Sequence, residues 1–206
     1  MTDDGGLRAR KKEQTRRLIA DTAARLFGEH GYDQVTVVDV ARAAEVATQT
    51  VYNYFPTKQD LVLDRDDEVR ERLVALVRDR PAGTSPAAAL RDAALAEVEL
   101  TRTRTTAEAH GDLSALCATS ATVRRLALES RDRQADALAA ALVGTDPGLG
   151  PLTAKAHAAA LVAIFQAVVD EVGRRALADA TPDAIADDLV PAVGAAIDDL
   201  DRRWHA

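Results

Sequence analysis

The stretch QTVYNYFPTK, Gln49 to Lys58, holds three of the chain's seven aromatic residues, and a proline at position 56 closes the run. At helical spacing its residues divide by direction. Val51 and Phe55 lie four apart and share an apolar face. Thr48, Gln49, Tyr52 and Asn53 form the opposite stripe, at i, i+1, i+4 and i+5. Hydroxyls and amides without charge are poor acids, bases or nucleophiles, but they donate and accept hydrogen bonds well. The chemistry expected of this stripe is therefore recognition. Lys58, just beyond the proline, adds a cation at the start of the next element.

Enzyme chemistry finds little support elsewhere. His30, His110, His157 and His205 are widely separated, and the chain has neither an HExxH nor a CxxC spacing. The loop GTDPGLGP (144–151) lacks the lysine of a phosphate-binding loop. No cofactor or metal is expected. The single cysteine, Cys117, excludes an intramolecular disulfide. The polar start MTDDGGLRARKKEQTRR has no apolar run behind it, and no uncharged apolar stretch of membrane-spanning length was found. A cytoplasmic protein is the expectation.

The net charge of −7 would argue against a polyanionic partner if it were evenly spread. It is not. From Leu7 to Lys58 nine Lys/Arg face six Asp/Glu, whereas from Gln59 onward 17 face 25. Arg8, Arg10, Lys11, Lys12, Arg16 and Arg17 crowd the beginning of the basic quarter.

The elements that must position these residues are helical. Residues 1–10 lack periodicity and are expected to form a mobile basic arm. Apolar spacing predicts a helix over 11–30, stopped by Gly31. Thr36 and Asp39 have the form of a capping box opening a second helix to about residue 44. A turn over 45–47 leads to a third helix, 48–55. Thr57–Asp60 repeats the capping pattern and predicts a long charged helix to about Arg80. After the linker PAGTSP, helices are expected over about 86–107, 112–118, 120–143, 152–179 and 183–204, with Pro191 kinking or dividing the last. The fold class is all-α, with nine or ten helices. Its division is a helix-turn-helix domain over 11–56 and a larger helical domain over 57–206. Ala41, a turn four residues on and Val51 have helix-turn-helix spacing, because a small residue lets two helices cross closely and an apolar one plugs the crossing.

From about Arg17 to Leu63 the sequence resembles the DNA-binding domain of the TetR (tetracycline repressor) family of transcriptional regulators, most specifically at VYNYFPTKQDLV. The resemblance implies that helix 48–55 enters the major groove of double-stranded DNA. Thr48, Gln49, Tyr52 and Asn53 would face the bases, with Thr50 and Tyr54 nearer the backbone. Gln49 and Asn53 suit the N6/N7 edge of adenine, and with no Arg or Lys between 48 and 55 few guanine contacts are expected. Lys58 and Thr36 would hold phosphates, although Thr36 equally serves as a plain N-cap. One departure stands out: the family commonly has glycine where this chain has Glu45, so either the turn is strained or it differs slightly, and the tilt of the third helix depends on which.

The resemblance further implies a homodimer on a palindromic operator, released by a small-molecule effector. The expected dimer residues are Ala160, Ile164 and Val168 on one helix and Leu189, Val193, Ile197 and Leu200 on the next, unless both stripes face their own core. Candidate effector contacts are His110, Asp112, Cys117 and Phe165, each of which also suits a helix end or a core position. The alternatives are a DNA-binding regulator without an effector and an all-α small-molecule enzyme.

Overall fold

The computed structural model describes residues 4–103 and 112–204, and among them it holds nine α-helices and no strand. The first, α1 (Asp4–His30), begins well before the expected boundary, so residues 4–10 continue the helix instead of forming an arm. It stops at Gly31, whose φ of 82° suits glycine and whose N–H closes the last turn on the Phe27 carbonyl. A 3-10 turn over Tyr32–Gln34 sets the Tyr32 ring edge-on to Phe27, with centroids 5.1 Å apart.

Helix α2 (Val37–Ala43) opens on the expected capping box between Thr36 and Asp39. Helix α3 (Thr48–Tyr54) follows after a tight turn in which the Val46 N–H donates to the Ala41 carbonyl. Ala41 and Val51 are both buried at the crossing. Pro56 prevents α3 from continuing.

The long helix expected from Thr57 does not start there. Thr57 and Asp60 do exchange capping-box hydrogen bonds, but residues 57–65 form successive turns, and α4 runs over Asp66–Arg78. Within this stretch the Asp64 carbonyl oxygen accepts from the Arg16 guanidinium, which ties the turns to α1.

Beyond α4 lie α5 (Pro86–Glu99), a 3-10 turn over Leu100–Thr103, α6 (Leu113–Thr119), α7 (Ala121–Thr145), α8 (Pro151–Ala176) and α9 (Pro182–Trp204). Ser85 caps α5 through the Ala88 N–H, and Pro86 takes its first turn. Helix α5 therefore ends earlier than the expected 107. Helix α9 runs unbroken through Pro191, which sits on its exposed side.

Two cores result. The C-terminal core joins α4, α5, α7, α8 and α9 around Leu90, Val98, Leu138, Leu161, Phe165 and Ile185. The other unites α1–α3 and Leu61, and it also takes in Leu116, Cys117, Val123, Ala127 and Val169 from α6, α7 and α8. The N-terminal domain is thus packed onto the larger one without a gap at residue 56. Ser120 strengthens the joint, because its hydroxyl donates to the Asp33 carboxylate at 2.9 Å. Helices α6 and α8 touch so closely that a Cβ on Gly173 would lie 2.0 Å from the Ser114 carbonyl oxygen. By length and composition α8 could cross a membrane. In this fold its Leu161, Phe165, Val168 and Val172 are buried in the C-terminal core.

Candidate nucleic-acid interface

With Val51 and Phe55 almost wholly buried, α3 can present only its opposite side. Gln49, Tyr52 and Asn53 are exposed there, and Thr48 and Thr50 are half-buried beside them. Tyr52 keeps 43% of its surface accessible, which is high for a tyrosine near two packed helices. The Gln49 Nε2 donates to the Asn53 Oδ1 at 3.1 Å, so the two amides are held as a pair one helical turn apart. Tyr54 lies apart from them. It is half-buried against the N-terminal core and lines a cleft of about 350 Å³ with Arg16, Gln59, Asp64 and Arg133.

The α2–α3 turn keeps the geometry for which glycine is usual. Glu45 has φ 55°, in the left-handed region. That backbone costs a residue with a Cβ about 1–2 kcal/mol, and the surrounding hydrogen bonds enforce it. The strain is therefore held at Glu45.

The two expected phosphate ligands have intramolecular partners. The Thr36 hydroxyl donates to Asp39 at 2.6 Å, and the Thr36 N–H donates to the same carboxylate at 3.0 Å. Those hydrogen bonds hold the Asp39 carboxyl below its ordinary pKa. Lys58 is half-buried, donates to the Tyr32 carbonyl and sits 4.0 Å from the Tyr32 ring centroid. Burial lowers its pKa, and the neighbouring Asp33 opposes this. A cation that looked out of place at a helix start therefore has a folding role: it clamps the 57–60 turn to the 3-10 turn through carbonyl and ring.

The basic run of α1 also divides. Arg8, Arg10, Lys11 and Lys12 are exposed at one end of the helix. Arg17 pairs with Glu13 at 2.7 Å. Arg16 turns inward, with its guanidinium 5.2 Å from the Phe55 ring centroid and 3.6 Å from the Asp64 carboxylate. Its role as a tether was not visible in the sequence, where it looked like one more member of a charged cluster.

The expected effector residues do not converge. Cys117 lies in the N-terminal core, where burial pushes its thiol up to about 11. Phe165 lies in the C-terminal core. Asp112 takes the N-cap position of α6, and His110 falls outside the described residues. Of the expected dimer residues, Val168, Leu189, Val193 and Ile197 are buried within their own subunit, and Ala160, Ile164 and Leu200 are half-buried. The stripe chosen from the sequence is thus mainly the inward face. The outward faces carry Ala156, Ala159, Ala163 and Ala167 on α8 and Pro191, Ala192, Ala195 and Ala196 on α9.

Two short helices crossing at a tight turn, the second with its polar side outward, define a helix-turn-helix domain. Residues 19–64 match the family model described as bacterial regulatory proteins, tetR family. The chain is 35% identical over 85 residues to the HTH-type transcriptional regulator TcmR of Streptomyces glaucescens, covering 41% of this chain and 38% of that protein. It is 37% identical over 68 residues to the HTH-type transcriptional regulator BetI of Agrobacterium fabrum, covering 31% and 33%. The matched stretch thus spans less than two fifths of the length of either relative.

Among solved structures, NalD of Pseudomonas aeruginosa superposes with a TM-score of 0.60 at 23% identity, over 89% of this chain and 95% of that one. The fatty acid degradation regulator FadR of Bacillus halodurans gives 0.53 at 20%, over 86% and 96%. These likenesses extend the shared fold over the C-terminal helices. Residues 19–64 are thus similar to the DNA-binding domain of the tetR family of bacterial regulatory proteins, and the rest of the chain shares the fold of the solved neighbours.

Proposed function

We propose that this chain is a sequence-specific DNA-binding transcriptional repressor, acting in the cytoplasm as a homodimer and released from a palindromic operator by a small molecule. The observation that carries the proposal is the division of α3, whose Val51 and Phe55 are locked into the core while Gln49, Tyr52 and Asn53 face outward. Relatives named as transcriptional regulators, and a structural neighbour titled a secondary repressor of a multidrug efflux pump, support the same reading.

In this reading Gln49 is the principal base reader. Its Nε2 gives one hydrogen to Asn53, which leaves the second hydrogen and the Oε1 for the N7 and N6 of one adenine. Asn53 orients that amide and uses its own –NH₂ group on a neighbouring base or phosphate. Tyr52 packs on the backbone or a thymine methyl, Thr48 and Thr50 flank the contact, and Arg8 to Lys12 add salt-dependent attraction. Tyr54, Thr36 and Lys58 chiefly hold the domain in shape. The partner subunit docks through the outward alanine faces of α8 and α9, where small side chains allow close helix approach.

Selection of bound sites from random duplex DNA tests this. The expected product is a two-fold symmetric consensus with A·T pairs in each half-site, and its enrichment should fall steeply with salt. Failure to enrich any sequence, or an asymmetric consensus, would overturn the proposal.

A further inference from the structure

Arg131 is the one arginine of α7 that makes no direct ion pair among the described residues, although the Glu97, Asp66 and Asp170 carboxylates lie near enough to favour its charge. It lies on the inward face of α7, with the buried small residues Ala127 and Ala135 one turn to either side. Arg124 pairs with Asp170, Arg125 with Glu129 and Arg133 with Asp66. Arg131 instead makes a single hydrogen bond, from its Nη1 to the Gln134 Oε1 at 2.8 Å. A guanidinium has five donors in a planar fork, and one neutral acceptor leaves most of it unused. Burial depresses its pKa, and the nearby Glu97, Asp66, Cys117 and Asp170 do not offset this. Asp66 and Asp170 are already engaged by Arg133 and Arg124. Across from α7, the Gln166 side chain donates to Asp170, and its Oε1 is buried without a donor.

Gln134 connects this position to the DNA-binding end of the molecule. Its Oε1 accepts from Arg131, and its Nε2 donates to Asp66 Oδ1 at 2.9 Å. Asp66 begins α4, the first helix after the N-terminal domain, and also accepts from the Ser130 hydroxyl and from Arg133. Burial alone would raise the Asp66 pKa, but the hydrogen bonds from Ser130, Arg133 and Gln134 hold it below the ordinary value. The N-terminus of α4 is thus tied to the domain interior by a continuous chain, Arg131–Gln134–Asp66.

We propose that Arg131 is the anchor for the carboxylate of a small organic acid, and that the acid acts by competing with Gln134 for the guanidinium fork. This rests on the reading of the chain as a ligand-released regulator and gives that ligand a chemical class. A carboxylate matches the fork in two parallel hydrogen bonds, which a single amide oxygen cannot do. Binding draws the guanidinium from Gln134, and Gln134 then loses the contact that orients its amide toward Asp66. Because the acid favours the state with Gln134 released, it shifts the α4 tie by its difference in affinity for the two states.

The full-length protein is titrated with octanoate and benzoate, and in parallel with octanol, octylamine and benzyl alcohol. Thermal unfolding and calorimetry are followed without DNA. At least one carboxylate should raise the melting temperature and bind with measurable heat, while its matched alcohol and amine should not. Arg131→Lys, which keeps the charge but loses the fork, should weaken that acid roughly ten- to a hundredfold, and Arg131→Gln should abolish its binding. No preference for either carboxylate, or equal binding by Arg131→Lys, overturns the anchor. On a selected duplex the acid should weaken wild-type DNA binding. Gln134→Met should still bind the acid but lose that effect, and an undiminished effect overturns the relay. Since the binding arm contains no DNA, it fails or succeeds independently of the proposed DNA surface.

Discussion

The α2–α3 unit and the α8–α9 pair both combine an inner apolar face with an outer one, but they leave very different marks in the sequence. Helices α2 and α3 have seven residues each, and they bury only three side chains and one respectively. Whatever remains on α3 is polar, and the outward stripe identifies itself. Helices α8 and α9 have 26 and 23 residues, and alanine lines their outer sides almost as densely as Leu, Val and Ile line the inner ones. Periodicity then shows that there are two apolar faces without showing which one meets the protein's own core. A short helix under strong constraint thus exposes its working residues to inspection, and a long, doubly apolar one conceals them.

Several substitutions would break or sharpen that contrast. The largest effect is expected at Phe55, where Ala removes a fully buried ring and the surface over which Arg16 lies. Denaturant unfolding should show a loss of about 3–5 kcal/mol. In the long pair, Ala163→Glu places a charge on the outward face of α8. Light scattering should then report a monomer with nearly unchanged thermal stability, whereas a persistent dimer would move the interface elsewhere. Lys58→Met should cost about 1–2 kcal/mol of stability through the lost carbonyl and ring contacts. If DNA affinity fell with stability untouched, the folding role assigned to Lys58 would be wrong. The smallest change has the opposite sign. Glu45→Gly relieves left-handed strain and should stabilise the domain by about 0.5–1 kcal/mol, net of the added freedom of the unfolded chain.

Much of the architecture was legible from capping and punctuation. Thr36, Gly31, Pro56, Ser85 and Pro86 each mark a boundary that the structure keeps. The start of α4 was not legible, since Thr57 and Asp60 form a valid capping pattern. The stretch it opens is instead tied to α1 by a long-range bond from Arg16 to the Asp64 carbonyl, 48 positions away along the chain, which no local pattern encodes. For the same reason Lys58 and Arg16 looked like surface charges, although both lie against aromatic rings. Strain at Glu45 was foreseen as one of two outcomes, and the positive φ decides between them. The candidate effector residues were drawn from a region where helical pattern reveals burial but not convergence. Arg131 escaped notice because it sits in the charged run ESRDRQAD, where only the three-dimensional packing separates an inward arginine from its solvated neighbours.

The most direct test of the central claim is the affinity of Gln49→Ala and Tyr52→Ala for a selected duplex, measured by fluorescence anisotropy alongside thermal unfolding. Each exposed side chain should leave the melting temperature within a degree or so of wild type. Affinity should fall roughly ten- to a hundredfold for each, since the proposed symmetric dimer would make every contact twice. Affinity unchanged in both variants, with the fold intact, would contradict the assignment of α3 as the DNA-reading helix.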